Sequence, residues 1–183
     1  MKACFGDAVS SFNLDMVYGG ANIVRPDFIR VEADEATYNM HIMIRFELER
    51  ALLGGTLDAA DVPDAWNEKY QSYLGITVPD DARGCLQDIH WSMVSMGYFP
   101  TYTLGNLYSA QFFDAACRAM PGLEDGFAEG DFEPLKKWLN ENIHQQGRRW
   151  LPAELCEQVT GAPLSADHLM TYLEGKLGSI YGI

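Results

Sequence analysis

Six side chains in this sequence are of types that bind or polarise a ligand, and they come in groups. Arg30 stands just ahead of the acidic run Glu32-Ala33-Asp34-Glu35 and could reach across to a neighbouring loop. Its planar fork can hold a carboxylate through two parallel hydrogen bonds, or close an internal ion pair. Gln87, Asp88 and His90 fall in Gln87-Asp88-Ile89-His90-Trp91, and Tyr98 and Tyr102 in Tyr98-Phe99-Pro100-Thr101-Tyr102. Polar groups interleaved with large aromatics near helix breaks suggest the lining of a cleft. The plainer reading makes Trp91 and Phe99 core residues and His90 a hydrogen-bonded structural histidine.

Other chemistries lack their motifs. Two histidines four apart on a helix can share a metal ion, but His41, His90, His144 and His168 have no two members within 20 residues of each other. No GxSxG elbow, P-loop or GxGxxG occurs. Cys4, Cys85, Cys117 and Cys156 show no CxxC spacing, so free buried thiols are expected and metal ligands are not. Cys85 and His90, five apart in one expected helix, are poorly placed for nucleophilic pairing. The acidic run Glu32 to Glu35 needs no more than a helix dipole to explain it.

The elements that would position these residues are helical. Alternating strand-length runs are missing, so an all-α fold is expected over a single domain, 1–183. A weak amphipathic piece covers 7–20 and ends at Gly19-Gly20. The longest helix is expected over about 30–53, with Met40, Ile44, Leu48 and Leu52 (or Ala51) on one stripe, Tyr38, His41, Ile42 and Arg45 beside it, and Gly54-Gly55 as its stop. Asp61 is the expected cap of the next helix, Pro63 sits in its first turn, Trp66, Tyr70 (or Lys69), Tyr73 and Leu74 form its face, and Gly75 ends it. Helices follow over about 85–96, 101–120, 132–146 (capped by Asp131, with Trp138, Leu139 and Ile143 inward), Pro152–Thr160, and 166–177 behind Ser165.

Composition sets the surroundings. The 183 residues carry 13 Lys plus Arg against 26 Asp plus Glu, a formal net charge of −13. Such a chain repels phosphate backbones and anionic bilayers, so neither nucleic acid nor membrane is an expected partner. No apolar run reaches 18 residues and the N-terminus lacks the apolar core of a signal peptide, so the expected address is the cytoplasm.

Three blocks of sequence carry a family likeness. Ile29-Arg30-Val31-Glu32-Ala33-Asp34 resembles the signature IRxxAD, and Gly84-Cys85-Leu86-Gln87-Asp88-Ile89-His90-Trp91 resembles GxxQDxHW. The run Gly97-Tyr98-Phe99-Pro100-Thr101-Tyr102 looks like the segment that follows it. These are signatures of the carboxypeptidase Taq family of zinc metallocarboxypeptidases, and the chain from about residue 24 onward is similar to its C-terminal third, with 1–23 matched weakly. The resemblance implies a nearly all-helical fold and removal of single residues from peptide C-termini. It also implies zinc, held in the full-length family by an HExxH helix and a later glutamate. Neither motif is in this chain, which is therefore expected to hold no metal and to be inactive alone.

Carried over by position, Arg30 would grip the terminal carboxylate. His90 and Tyr102, with Tyr98 as rival, would donate to the oxyanion. Gln87 and Asp88 would orient His90 or bind the peptide backbone. The expected partners are a peptide C-terminus if the site is complemented, and either further copies of the chain or a separate chain with the HExxH half. A non-catalytic peptide-binding or assembly module on the same scaffold is the alternative.

Overall fold

Local signals set most helix ends. Pro63 lies in the first turn of one helix and Gly75, at φ 71°, closes it in the left-handed region that a Cβ disfavours. Pro152 opens another, where the Glu154 carboxylate accepts a hydrogen bond from the Leu151 N–H at 2.9 Å. The computed structural model describes residues 6–9 and 11–183, and Cys4 lies outside them. Among the described residues the chain is all-α, with eight α-helices, four short 3₁₀ turns and no strand. The helices are α1 (Leu14–Ala21), α2 (Tyr38–Leu53), α3 (Val62–Leu74), α4 (Pro100–Ala119), α5 (Leu123–Ala128), α6 (Glu133–Asn142), α7 (Pro152–Thr160) and α8 (Asp167–Tyr181).

The chain divides into two compact units, one running to Tyr102 with Ile180–Gly182 added, the other Thr103–Ser179 with Ile183. The first holds α1 to α3 and the start of α4. Its core joins α2 to α3 through Ile44, Leu48, Trp66, Tyr70 and Leu74, with Val78 from the following loop. Burying each such apolar side chain contributes about 1.5–3 kcal/mol. In the second unit Gln111 of α4 is fully buried, and its amide nitrogen reaches Thr160 Oγ1 at 3.0 Å and Pro163 O at 3.1 Å. Its amide oxygen accepts from Ser165 N at 2.9 Å, so one side chain fastens the turn after α7.

Several expectations are corrected. The helix expected from residue 30 starts at Tyr38, and Arg30–Glu32 is a single 3₁₀ turn. The Asp34 carboxylate is the reason. It accepts from Arg25 N, Ala36 N, Thr37 N and Thr37 Oγ1, each at 2.9 Å, and these local bonds compete with helix upstream. The longest described helix is therefore α4, with 20 residues against 16 in α2. The stripe of α2 is also displaced. Met40 is exposed, and the buried set is His41, Ile42, Ile44, Arg45, Leu48 and Glu49. α1 runs through Gly19-Gly20 to Ala21. Asp61 makes no side-chain cap bond. α6 stops at Asn142, ahead of a 3₁₀ turn at His144–Gln146, and α5 is an element that the sequence reading missed. The helix expected over 85–96 does not form. That segment is a series of turns held by its side chains.

Candidate functional site

The candidate site lies in the first unit. The wall of the site is the irregular segment 84–99, fastened to two other stretches of chain. Gly84 begins it where a Cβ would come within 3.0 Å of Val78 Cγ1 and 3.2 Å of Asp80 O, so only glycine passes without a shift. Gln87 faces inward. Its amide oxygen accepts from Arg30 N at 2.8 Å, and its amide nitrogen donates to Phe28 O at 2.9 Å. Trp91 donates through Nε1 to Glu49 Oε1 at 2.9 Å and meets Trp66 edge-on, with ring centres 6.1 Å apart. The backbone bonds of the segment are local turns, such as Val94 N to Trp91 O at 3.0 Å and Ser95 N to His90 O at 2.8 Å, and these side chains attach it to the rest of the unit.

Asp88 sits between two buried guanidiniums. Its Oδ1 accepts from Arg30 Nε at 3.1 Å and Nη2 at 2.7 Å, and its Oδ2 accepts from Arg45 Nε at 2.7 Å. Burial alone would raise the Asp88 pKa, but the hydrogen bonds and charges of Arg30 and Arg45 outweigh it and hold the group below the usual carboxylate range. Asp88 is the one acidic group within ion-pair distance of either guanidinium among the described residues. Two positive charges thus meet one negative charge. Arg45 is fully buried and lies over Trp66, with 4.5 Å from its guanidinium carbon to the ring centre. Arg30 is 6% exposed and lies 5.0 Å from the Tyr102 ring centre. Arg30 Nη1 donates to Tyr38 Oη at 3.0 Å, so three of the five guanidinium N–H groups are bound, leaving one each on Nη1 and Nη2.

His90 is the member of the Gln87–Trp91 run that turns to the other side. Its Nε2 lies 3.0 Å from Tyr102 Oη, and its Nδ1 is buried, 3.8 Å from Asp88 Oδ1, with no hydrogen-bond partner among the described residues. Phe99 supports the ring at 4.4 Å and is itself 1% exposed. Tyr98 stacks on His90 at 5.7 Å and is half exposed. A neutral imidazole and the phenol share one proton across the Nε2–Oη contact, so the pair offers an outward donor only when His90 supplies that proton.

The structure therefore brings together Arg30, Asp88, His90, Tyr98 and Tyr102, with Gln87 alongside, committed to the backbone of Phe28 and Arg30. It also places residues that the motifs did not mark. His41, Arg45 and Glu49 lie at steps of four on the buried face of α2. His41 Nδ1 lies 3.0 Å from Tyr70 Oη, and Tyr70 donates to Phe28 O at 3.1 Å. The signal available in the sequence was this spacing of charged residues in register with Ile44 and Leu48.

Among the described residues no three His, Cys, Asp or Glu side chains converge to hold a metal ion. Asp88, the acidic neighbour of His90, already has both oxygens on arginines, so this donor set does not fit a metal centre. Cys85, Cys117 and Cys156 are free thiols, each pushed up in pKa by burial first. Among the described residues no helix is long and apolar enough to cross a membrane.

The sequence matches the profile of the carboxypeptidase Taq (M32) metallopeptidases over residues 1–177, so the likeness extends into the segment before residue 24. It is 47% identical over 175 residues to thermostable carboxypeptidase 1 of Thermus thermophilus, covering 96% of this chain and 34% of that protein. It is 42% identical over 169 residues to carboxypeptidase 1 of Bacillus subtilis, covering 92% and 34%. The crystal structure of an M32 carboxypeptidase from Deinococcus radiodurans matches with a TM-score of 0.96 at 45% identity, over 100% of this chain and 37% of that one. The chain spans about a third of the length of the curated relatives it matches.

Proposed function

Because this chain belongs to the carboxypeptidase Taq (M32) metallopeptidase family, we propose that it forms the side of a metallocarboxypeptidase site that holds the C-terminus of a peptide. The observation that carries this reading is the charge imbalance at Asp88. Arg30 and Arg45 share one carboxylate, and the excess positive charge lies beside His90 and Tyr102. A substrate carboxylate would complete the balance through the two remaining N–H groups of Arg30. Donation to the scissile carbonyl oxygen would come from the His90–Tyr102 pair, with Tyr98 covering it. Such donors act most strongly on charge that develops during reaction.

The metal-bearing side would come from polypeptide other than the residues described, either a separate chain or further sequence, and the chain by itself would release no C-terminal residue. The test is titration with an N-acetylated dipeptide and with its C-terminal amide. The free acid is expected to bind at least about tenfold tighter, the ratio that one charge-assisted hydrogen bond supplies. Equal affinities would sink the reading. A peptide-binding module without turnover is the second reading, favoured by the lack of a fitting metal set among the described residues. Restoration of peptidase activity by a chain carrying HExxH would decide against it.

A further inference from the structure

We propose that Arg45 is a positioning residue that sets the direction in which Arg30 and His90 face, acting through Asp88. The inference rests on the reading of Arg30 as the carboxylate anchor. A carboxylate paired with one guanidinium settles into two parallel bonds, one for each oxygen. Asp88 does not do this. Both of its contacts with Arg30, at 3.1 and 2.7 Å, fall on Oδ1, while Oδ2 is drawn to Arg45 Nε at 2.7 Å. Arg45 has the rigidity to impose that. It is fully buried, Nη1 donates to His41 O at 2.9 Å, and its guanidinium lies over Trp66 at 4.5 Å.

Without Arg45, Oδ2 would be free to swing onto the Arg30 fork, turning the fork and carrying Oδ1 out of its place beside His90 Nδ1. Two functions are thereby joined in one side chain on α2. Arg45 supplies the second positive charge of the cluster, and it holds the acid in the less symmetric pose that leaves the outer edge of Arg30 unoccupied. Lysine would keep the charge and lose the planar fork, which separates the two roles.

The experiment uses the full chain labelled with ¹⁵N, following the arginine Nε–H resonances, together with the acid and amide dipeptides. In the unaltered chain, the Arg45 Nε–H is expected to exchange far more slowly than that of the half-exposed Arg83. In R45K and R45M the Arg30 Nε–H resonance is expected to move, and the preference for acid over amide to fall from about tenfold to about twofold in R45K and further in R45M, which also lacks the charge. An unmoved Arg30 resonance in R45K, or full rescue of the preference by lysine, would overturn the positioning role. If neither variant folds, exchange of Arg45 Nε–H at the Arg83 rate in the unaltered chain would overturn it instead. If the unaltered chain shows no preference for acid, the anchor reading falls, and the Arg30 resonance still decides the positioning role.

Discussion

Asp88 is the residue on which two buried cations depend. We predict that Asp88→Asn lowers stability by about 3–5 kcal/mol, because removing one partner leaves uncompensated charge in a dry site. Asp80→Asn, at the exposed pair with Arg83, should leave stability nearly unchanged. Urea denaturation of the two variants makes the comparison, and similar losses would contradict it. His41 supplies a second prediction. Burial first, then the charges of Arg45 and Arg30, push its pKa from 6.5 to about 4. The folded state keeps the ring neutral where the unfolded chain takes up a proton. This contribution is therefore complete above pH 6.5 and is lost as pH falls towards 4, amounting at most to about 3–4 kcal/mol at ~1.4 kcal/mol per unit. His41→Gln should flatten the pH dependence of stability in that window. An unchanged slope would refute the assignment.

At the scale of elements, segment 84–99 is a run of backbone-bonded turns that side chains attach to the rest of its unit. Gln87 fastens it to Phe28 and Arg30, Asp88 to Arg30 and Arg45, and Trp91 to Glu49. Trp91→Phe keeps most of the apolar volume and removes one donor from a buried acid. It should cost about 1–3 kcal/mol, with amide exchange quickening across 84–99 and not in α3. Uniform quickening would mean that the segment is not a separate unit of attachment. The same pins explain what the sequence allowed to be read. The ends of α3 and α7 were legible because Pro63, Gly75, Pro152 and Gly161 act within a turn of themselves. The start of α2 and the absence of helix over 85–96 were not, because Asp34 and the Gln87–Trp91 run spend their side chains outside a helical ladder. Arg30, Gln87, Asp88, His90, Tyr98 and Tyr102 could be grouped from types and spacing. Arg45 and Glu49 resemble ordinary surface charges when each is read alone, and only their four-residue spacing in register with Ile44 and Leu48 marks them as buried.

Over the whole molecule, the outer face of α2 shows Met40, Met43, Phe46 and Leu53 to solvent. Apolar area of this kind favours association, and we predict a homo-oligomer, or a complex with a separate chain, burying at least about 1,000 Å². Monodisperse monomer in light scattering at micromolar concentration would count against the homo-oligomer. The charge distribution has a further consequence, for the rate at which ligand arrives. The chain carries a net −13 with its arginine cluster included, and that cluster is almost fully buried. A free peptide acid would be repelled at long range by the same protein that attracts it at contact. Salt should screen the first field, whose reach is about 10 Å at 0.1 M, far more than the second. The association rate constant of the acetylated dipeptide acid should therefore rise with ionic strength in stopped-flow measurements, while that of its amide stays level. An acid that bound more slowly as salt was added would place the guidance of the ligand at the surface and not in the buried cluster.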